Sequence, residues 1–291
     1  MIYIITFISS CVFFDLSEKS RSRYIKKILV LIAILLPCIL AGMRADTIGT
    51  DVKVYVEPMY NAAKQSTSFS AYMNQRWYVI WRYMYVSKFE IGFTTFVYLI
   101  EKIGGSLGTV LFFIHVLIVA PIYLGLKRMN KKYPMWLGML VFYLMFYNTS
   151  LNMMRQWIAM AILFWGLSYL LANKKKKYFI AVIVASLFHT SALMGFVIYF
   201  LYVYSQRKRE CVKIANFRLD GSLAPVKVFV YGAIVLLSLN VIAVLLRAFG
   251  LAKYAGYIQG NGSIYLMPSQ IILRLPIIIL LIIRWKRMMA E

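Results

Sequence analysis

The chain has 291 residues, of which 62% are hydrophobic, and a formal net charge of +23. Its mean hydropathy is +0.73, and its apolar residues form long blocks that a soluble core does not need. The Lys and Arg residues stand in short clusters between these blocks, as in membrane proteins, so the charge does not indicate nucleic-acid binding. The three cysteines show no CxxC spacing, and two histidines exclude a His-rich metal site.

The apolar blocks predict an all-α, polytopic transmembrane helical bundle of about nine or ten spans. The candidate spans cover residues 2–15, 27–43, 106–126, 134–148, 152–171, 178–189, 191–205, 227–247 and 269–285. The first span has no basic n-region and no A-x-A-like cleavage site after it, so we expect it to be retained. We see no internal repeat, and we interpret residues 1–291 as a single transmembrane domain.

The stretch from Trp77 to Lys102, before the third span, has a different composition. It is amphipathic and contains Trp, Tyr and charged residues. This mixture is typical of an interfacial or re-entrant helix rather than a span.

Five basic clusters between the spans predict the orientation of the chain. They are Lys19–Lys27, Lys127–Lys132, Lys174–Lys177, Arg207–Lys227 and Arg284–Arg287. Because basic loops stay on the cytoplasmic side, we expect an external N-terminus and a cytoplasmic C-terminus in the cell (inner or plasma) membrane. Two large loops, 44–90 and 248–268, are then external. The second is rich in Gly and Tyr, which suits stacking on sugar rings but also suits a plain connector.

Residues 178–205 allow two interpretations. They form either one long helix or a helical hairpin with His189 at its external apex. Basic clusters flank both ends of the segment, and only the hairpin keeps both on the cytoplasmic side.

The segment after the second span, GMRADTIGTDVKVYVEPMY, concentrates polar residues on the external side. They are Arg44, Asp46, Thr47, Gly49, Thr50, Asp51 and Tyr55. Asp, Thr and Gly in this order favour a turn, and a short helix is expected after it with Thr50 or Asp51 as its N-cap. The alternative is a capped turn with an interfacial Arg44 and no chemical role.

Arg155 and Gln156 lie in the first turns of the fifth span. An Arg at membrane depth usually faces a partner or an aqueous cavity, and the N-terminus of a helix favours an anion. The pair therefore indicates a diphosphate site, unless Arg155 only extends to the interface.

His189 precedes Thr190 and Ser191 at the external end of an apolar helix. An imidazole there can act as a base or as a proton donor near neutral pH, although a capped helix turn explains the same pattern. His115, in the middle of a span, is interpreted as structural. Arg247, Lys253 and Arg274 are further cations on the external side, so cations outnumber carboxylates there, as an anionic substrate group requires.

These same residues give the sequence its likeness to a known family. It resembles the EpsG family of exopolysaccharide polymerases, functional relatives of the Wzy-type O-antigen and capsule polymerases. The likeness is clearest over about residues 1–205 and is contributed by three motifs. They map onto Arg44, Gly49, Thr50, Asp51 and Tyr55; onto Glu90, Gly92 and Phe93; and onto Arg155, Gln156, Ala159, His189, Ser191 and Ala192.

The resemblance implies a nucleotide-sugar-independent glycosyltransferase that joins polyprenyl-diphosphate-linked repeat units at the external face of the membrane. It implies that Arg44, Arg155, Gln156 and Tyr55 bind the diphosphate or sugar, and that Asp51 or His189 is catalytic. No DxD motif is present, and nothing indicates a metal or other cofactor. The expected partners are the lipid-linked oligosaccharide, membrane lipid, and flippase and chain-length regulator proteins, without nucleic acid.

The same residues are compatible with other functions. An O-antigen ligase would use the same chemistry. A flippase or transporter of lipid-linked oligosaccharide would make no bond, although transporters often contain internal repeats. A non-catalytic scaffold of the export machinery would tolerate loss of Arg155.

Overall fold

The computed structural model describes residues 2–45, 47–129 and 133–206, and beyond these only residues 213–214, 217–218 and 248. The chain divides into two compact units, Met1–Arg207 and Lys208–Glu291. The described part of the second unit includes a short antiparallel pair, Lys213–Ile214 with Phe217–Arg218. Outside the described residues lie Asp46, Cys211, Arg247, Lys253, Arg274, the predicted spans 227–247 and 269–285, and the loop 248–268 except for residue 248.

The described part of the first unit is almost entirely helical, as predicted. Its helices are α1 (Ile2–Lys19), α2 (Arg23–Gly42), α3 (Glu57–Gln65), α4 (Phe69–Met73), α5 (Ile91–Lys102), α6 (Leu107–Met129), α7 (Met135–Phe142), α8 (Asn148–Asn152), α9 (Met154–Leu171), α10 (Lys175–Ser186) and α11 (Met194–Gln206). A π-helical turn, Val52–Val56, leads into α3, and another, Tyr143–Tyr147, joins α7 to α8.

Three helices in the described part of the chain, α2, α6 and α9, are long and apolar enough to cross a membrane. A shorter apolar helical stretch covers Thr190–Tyr204. Large apolar side chains on α1 and α11, such as Ile5 and Leu201, are exposed, as expected for surfaces that face lipid. The chain is therefore a helical membrane protein.

Small residues bring α2 and α6 into close contact. A Cβ at Gly42 would lie 2.8 Å from the carbonyl oxygen of Gly108, and a Cβ at Gly108 would lie 2.7 Å from that of Gly42. In lipid, where apolar burial gives little driving force between helices, such close backbone approach is a common source of packing energy.

The basic clusters of the described residues lie at one end of the bundle. The Met135 N–H at the start of α7 donates to Glu18 Oε1 at the end of α1, at 3.1 Å. The Tyr169 ring near the end of α9 contacts Arg128, 4.2 Å from the ring centre, and Lys177, at 5.6 Å. Since α1, α6 and α9 all end here and α7 and α10 begin here, the segment between α2 and α6 lies at the opposite end.

The helix predicted for the stretch from Trp77 to Lys102 is confirmed only in its second half. Helix α5 begins at Ile91, whereas residues 76–85 form an antiparallel hairpin of β1 (Arg76–Val79) and β2 (Arg82–Tyr85). The physical reason is the alternation of side chains: Trp77 and Met84 are directly paired and pack on the core, while their neighbours point outward. The same aromatic-rich composition fits a strand as well as an amphipathic helix.

Residues 178–205 form the hairpin and not a single span. Helix α10 ends at Ser186, and α11 returns from Met194. The Tyr178 hydroxyl of α10 donates to the Gly195 carbonyl of α11 at 2.6 Å. His189 lies in the connecting turn, at the end of the bundle opposite to the basic clusters.

Candidate functional site

Four separate segments meet at the end of the bundle opposite to the basic clusters. They are the segment after α2, the residue before α5, the junction of α8 and α9, and the apex of the α10–α11 hairpin. The charged residues they contribute are Arg44, Asp51, Glu90, Arg155 and His189. We call these five residues the charged cluster.

The junction of α8 and α9 holds the segment after α2 in place. Gly49 has a φ of +95°, and a Cβ there would lie 2.4 Å from the Leu151 carbonyl oxygen. The Thr50 N–H donates to Asn152 Oδ1 at 3.0 Å. A glycine is required here both for the positive φ and for the close approach.

Asp51 occupies the predicted N-cap position, before the π-helical turn Val52–Val56, but its side chain makes no capping hydrogen bond there. Its Oδ2 instead accepts a hydrogen bond from the Met154 N–H of α9 at 3.3 Å and another from the Tyr55 hydroxyl. The physical reason is that Asp51 itself has helical backbone angles, φ −61° and ψ −28°, whereas a capping side chain belongs to a residue with extended angles. Its carboxylate instead reaches the first N–H of a different helix. The anion at the N-terminus of α9 is thus a side chain of the protein.

Burial raises the pKa of Asp51, although the Tyr55 hydrogen bond and the Arg155 charge act in the opposite direction. The Asp51 carboxylate is therefore poorly solvated and depends on its partners within the protein for stabilisation as an anion.

Arg155 is held between two aromatic rings and a carboxylate. Its guanidinium carbon lies 4.7 Å from the ring centre of Tyr55 and 4.7 Å from that of Phe89. Its Nη1 forms an ion pair with Glu90 Oε2, while its Nε is buried and has no hydrogen-bond partner among the described residues. The planar guanidinium is thus fixed in orientation, with part of its hydrogen-bonding capacity unused.

Glu90 joins Arg155 to the hairpin apex. Its Oε1 lies 3.0 Å from His189 Nδ1 and accepts the Thr190 N–H at 3.3 Å. Next to it, the Gly92 N–H donates to the Leu187 carbonyl at 2.8 Å. Burial opposes ionisation, but the His189 hydrogen bond and the Arg155 charge outweigh it and lower the pKa of Glu90 to about 2.

Arg44 is buried and incompletely paired. The residue is only 9% exposed. Its Nη2 donates to the Leu151 carbonyl at 3.3 Å and to Met154 Sδ at 3.4 Å, but Nε and Nη1 have no partner among the described residues. Burying a cation in this way is costly, so unused donors at a charged cluster suggest a site for an anionic ligand.

The remaining predicted residues lie around this cluster. Tyr55 lies within the charged cluster, where its hydroxyl donates to Asp51 and its ring packs against the Arg155 guanidinium. Gln156 is half-buried on α9, and within the described chain its side chain makes no hydrogen bond. His115 is buried in α6 and contacts the Leu111 carbonyl through Nδ1 at 2.9 Å, which fits its interpretation as structural.

Glu90 is the one member of the charged cluster that was not predicted as a site residue. In the sequence it is one acidic residue before an apolar helix, the usual place for a helix-starting side chain. Its partners are 65 and 99 residues away. The only sequence signal is its position in the EIGF motif of the family resemblance.

Fold and site together define a helical membrane protein with a cluster of buried and half-buried charges at one end of its bundle. The family model described as the EpsG family matches residues 27–290, and the chain belongs to that family of exopolysaccharide and Wzy-type polymerases. The match extends beyond the residues where the likeness is clearest. No curated protein and no solved structure matches the chain.

Proposed function

We propose that this protein is a polysaccharide polymerase that joins polyprenyl-diphosphate-linked repeat units at the external face of the cell membrane. Family membership supports exopolysaccharide polymerisation in broad terms. The observation that favours bond formation on a diphosphate-linked sugar is the pair Arg44 and Arg155. They are a buried and a half-buried guanidinium, both with unused donors, beside carboxylate and imidazole groups.

In the proposed reaction a hydroxyl of the incoming repeat unit attacks the anomeric carbon of the growing glycan. The bond from that carbon to the diphosphate breaks, and its electron pair leaves with polyprenyl diphosphate. Negative charge then develops on the diphosphate oxygen, where preorganised cations are most effective. Arg44 and Arg155 bind the diphosphate, and Gln156 contributes to binding of the diphosphate or sugar. Tyr55, predicted to bind as well, is buried and supports Arg155 through its ring.

The proposed sidedness follows from the two ends of the bundle. The basic clusters of the described residues share one end, which the positive-inside rule assigns to the cytoplasm. The charged cluster then faces the exterior. No nucleotide sugar is required, because the lipid diphosphate is itself the leaving group.

The test is the glycan profile of cells that lack the protein, complemented with wild type or with Arg155→Ala. We expect loss of the long ladder while single repeat units still reach the surface, with the ladder restored by wild type but not by Arg155→Ala. Accumulation of lipid-linked repeats inside the cell, without single surface units, would replace polymerisation by export. A ladder restored by Arg155→Ala would remove Arg155 from the site.

A further inference from the structure

We infer that Glu90 is a positioning residue that fixes His189 with Nε2 as the proton acceptor of the reaction. This inference rests on the proposed function and deepens it, because it selects His189 over Asp51 as the base. It depends on the Glu90–His189 contact and on the different surroundings of the two carboxylates in the cluster.

The Glu90 carboxylate determines which nitrogen of His189 holds the proton. A carboxylate is only an acceptor, so a hydrogen bond from His189 Nδ1 to Oε1, at 3.0 Å, requires the hydrogen on Nδ1. Glu90 stays ionised because Arg155 and the Thr190 N–H also contact it. In a neutral imidazole with the hydrogen on Nδ1, the lone pair is on Nε2.

The Nε2 atom is available for a substrate hydroxyl. His189 is half-buried, and Nε2 is not among the buried atoms without a partner. The structure gives it no hydrogen bond to any described residue. An acceptor hydroxyl can therefore bind there without displacing a contact that holds the cluster together.

Asp51 has a structural role instead. Its Oδ2 already accepts from the Met154 N–H and the Tyr55 hydroxyl. Taking a proton would weaken both bonds at the start of α9, close to Arg155. We therefore assign Asp51 to holding the N-terminus of α9 and Tyr55, and not to proton transfer.

The proton balance of the step follows from these positions. The hydroxyl oxygen forms the new glycosidic bond while its proton moves to His189 Nε2. The resulting imidazolium lies against Glu90, whose negative charge stabilises it, as the buried carboxylate does in the Ser-His-Asp arrangement. The proton later passes to water, and the ring returns to its neutral state.

The first test measures the tautomer directly. The chain has two histidines, so ring-¹⁵N labelling of the protein in lipid nanodiscs gives two sets of signals, assigned with His189→Gln. We expect His189 to carry its hydrogen on Nδ1 in the wild type and to become a tautomer mixture in Glu90→Gln. Unchanged His115 signals show that the variant is folded. A wild-type His189 with its hydrogen on Nε2 would overturn the inference.

The second test measures the pH dependence of polymerisation on purified lipid-linked repeat units. Glu90→Gln should slow turnover by about 10²-fold or more and move the acid limb of the rate profile to lower pH, because the imidazolium loses its carboxylate. Asp51→Asn removes one charge nearby and should leave the acid limb in place. Glu90→Asp keeps the charge and should recover part of the rate.

The outcomes separate this inference from the proposed function. If the wild type makes polymer and Glu90→Gln matches it in rate and acid limb, the positioning role is wrong and the polymerase remains. If Asp51→Asn abolishes turnover together with the acid limb, and Glu90→Gln leaves both in place, the base is Asp51. If the wild type makes no polymer, the proposed function fails, whatever the tautomer.

Discussion

Gly49 and Leu151 touch through their backbones, at the point where the segment after α2 meets the end of α8. A Cβ at Gly49 would lie 2.4 Å from the Leu151 carbonyl oxygen, and Gly49 has a φ of +95°. That same carbonyl accepts a hydrogen bond from Arg44. The position of the Leu151 carbonyl oxygen therefore affects both the turn at Gly49 and the Arg44 guanidinium.

Gly49→Ala should abolish polymer formation and lower the melting temperature in detergent. Gly104→Ala is the matched control, because Gly104 also has a positive φ, +84°, but has nothing within 4 Å of its Cβ position. The control should lose only about 1 kcal/mol from backbone strain and should keep activity. Equal effects of the two substitutions would show that the close approach to Leu151 has no role.

Arg155→Lys should lose most polymerising activity while the amount of protein in the membrane holds. A lysine has no planar fork to lie between Tyr55 and Phe89 while also binding a carboxylate. Arg128→Lys is the control, since it removes a similar ring contact, on Tyr169, at the basic end of the bundle. Polymer length on a gel and membrane protein level give the result, and normal polymer from Arg155→Lys would contradict the assignment.

Arg44→Met should separate stability from function. The substitution removes a buried guanidinium with two nitrogens that lack partners and replaces it with an apolar side chain of similar length. We expect the melting temperature in detergent to hold or rise, while the glycan ladder is lost. A clear fall in melting temperature would mean that Arg44 is a structural residue, and an intact ladder would mean that it does not bind substrate.

Single cysteines should report the sidedness of the bundle to a membrane-impermeant thiol reagent. Trp81 at the tip of the β1–β2 hairpin is 90% exposed, so Trp81→Cys should react in intact cells. Lys176→Cys, in the basic first turn of α10, should react only after permeabilisation. Cys211→Ser provides the background, because Cys11 and Cys38 are buried. The reverse labelling pattern would place the charged cluster in the cytoplasm.

The sequence predicts the parts of this structure that depend on local composition. Hydropathy locates α2, α6 and α9 closely, and the basic clusters predict which helix ends lie together. Arg155 at the start of α9 and His189 at the hairpin apex follow from the same pattern. These predictions succeed because lipid requires long apolar runs whatever the tertiary contacts are.

The sequence does not predict partners that meet only in the folded chain. The Asp51 side chain accepts a hydrogen bond from Met154, which is 103 residues away. The sequence around Asp51 predicts instead that it caps the helix that follows it. Glu90 depends on two partners that are both distant. The sequence predicts a helix where the β1–β2 hairpin lies, because a short mixture of aromatic and charged residues fits an amphipathic helix as well as a strand.

The backbone bond between Gly92 and Leu187 has a further consequence for the reaction. It lies two residues from Glu90 and two residues from His189, so the main chain itself sets the distance between carboxylate and ring. The pair does not have to be assembled from freely rotating side chains when substrate arrives. The orientational entropy of aligning a base with its partner is already lost during folding, and each turnover begins without that cost.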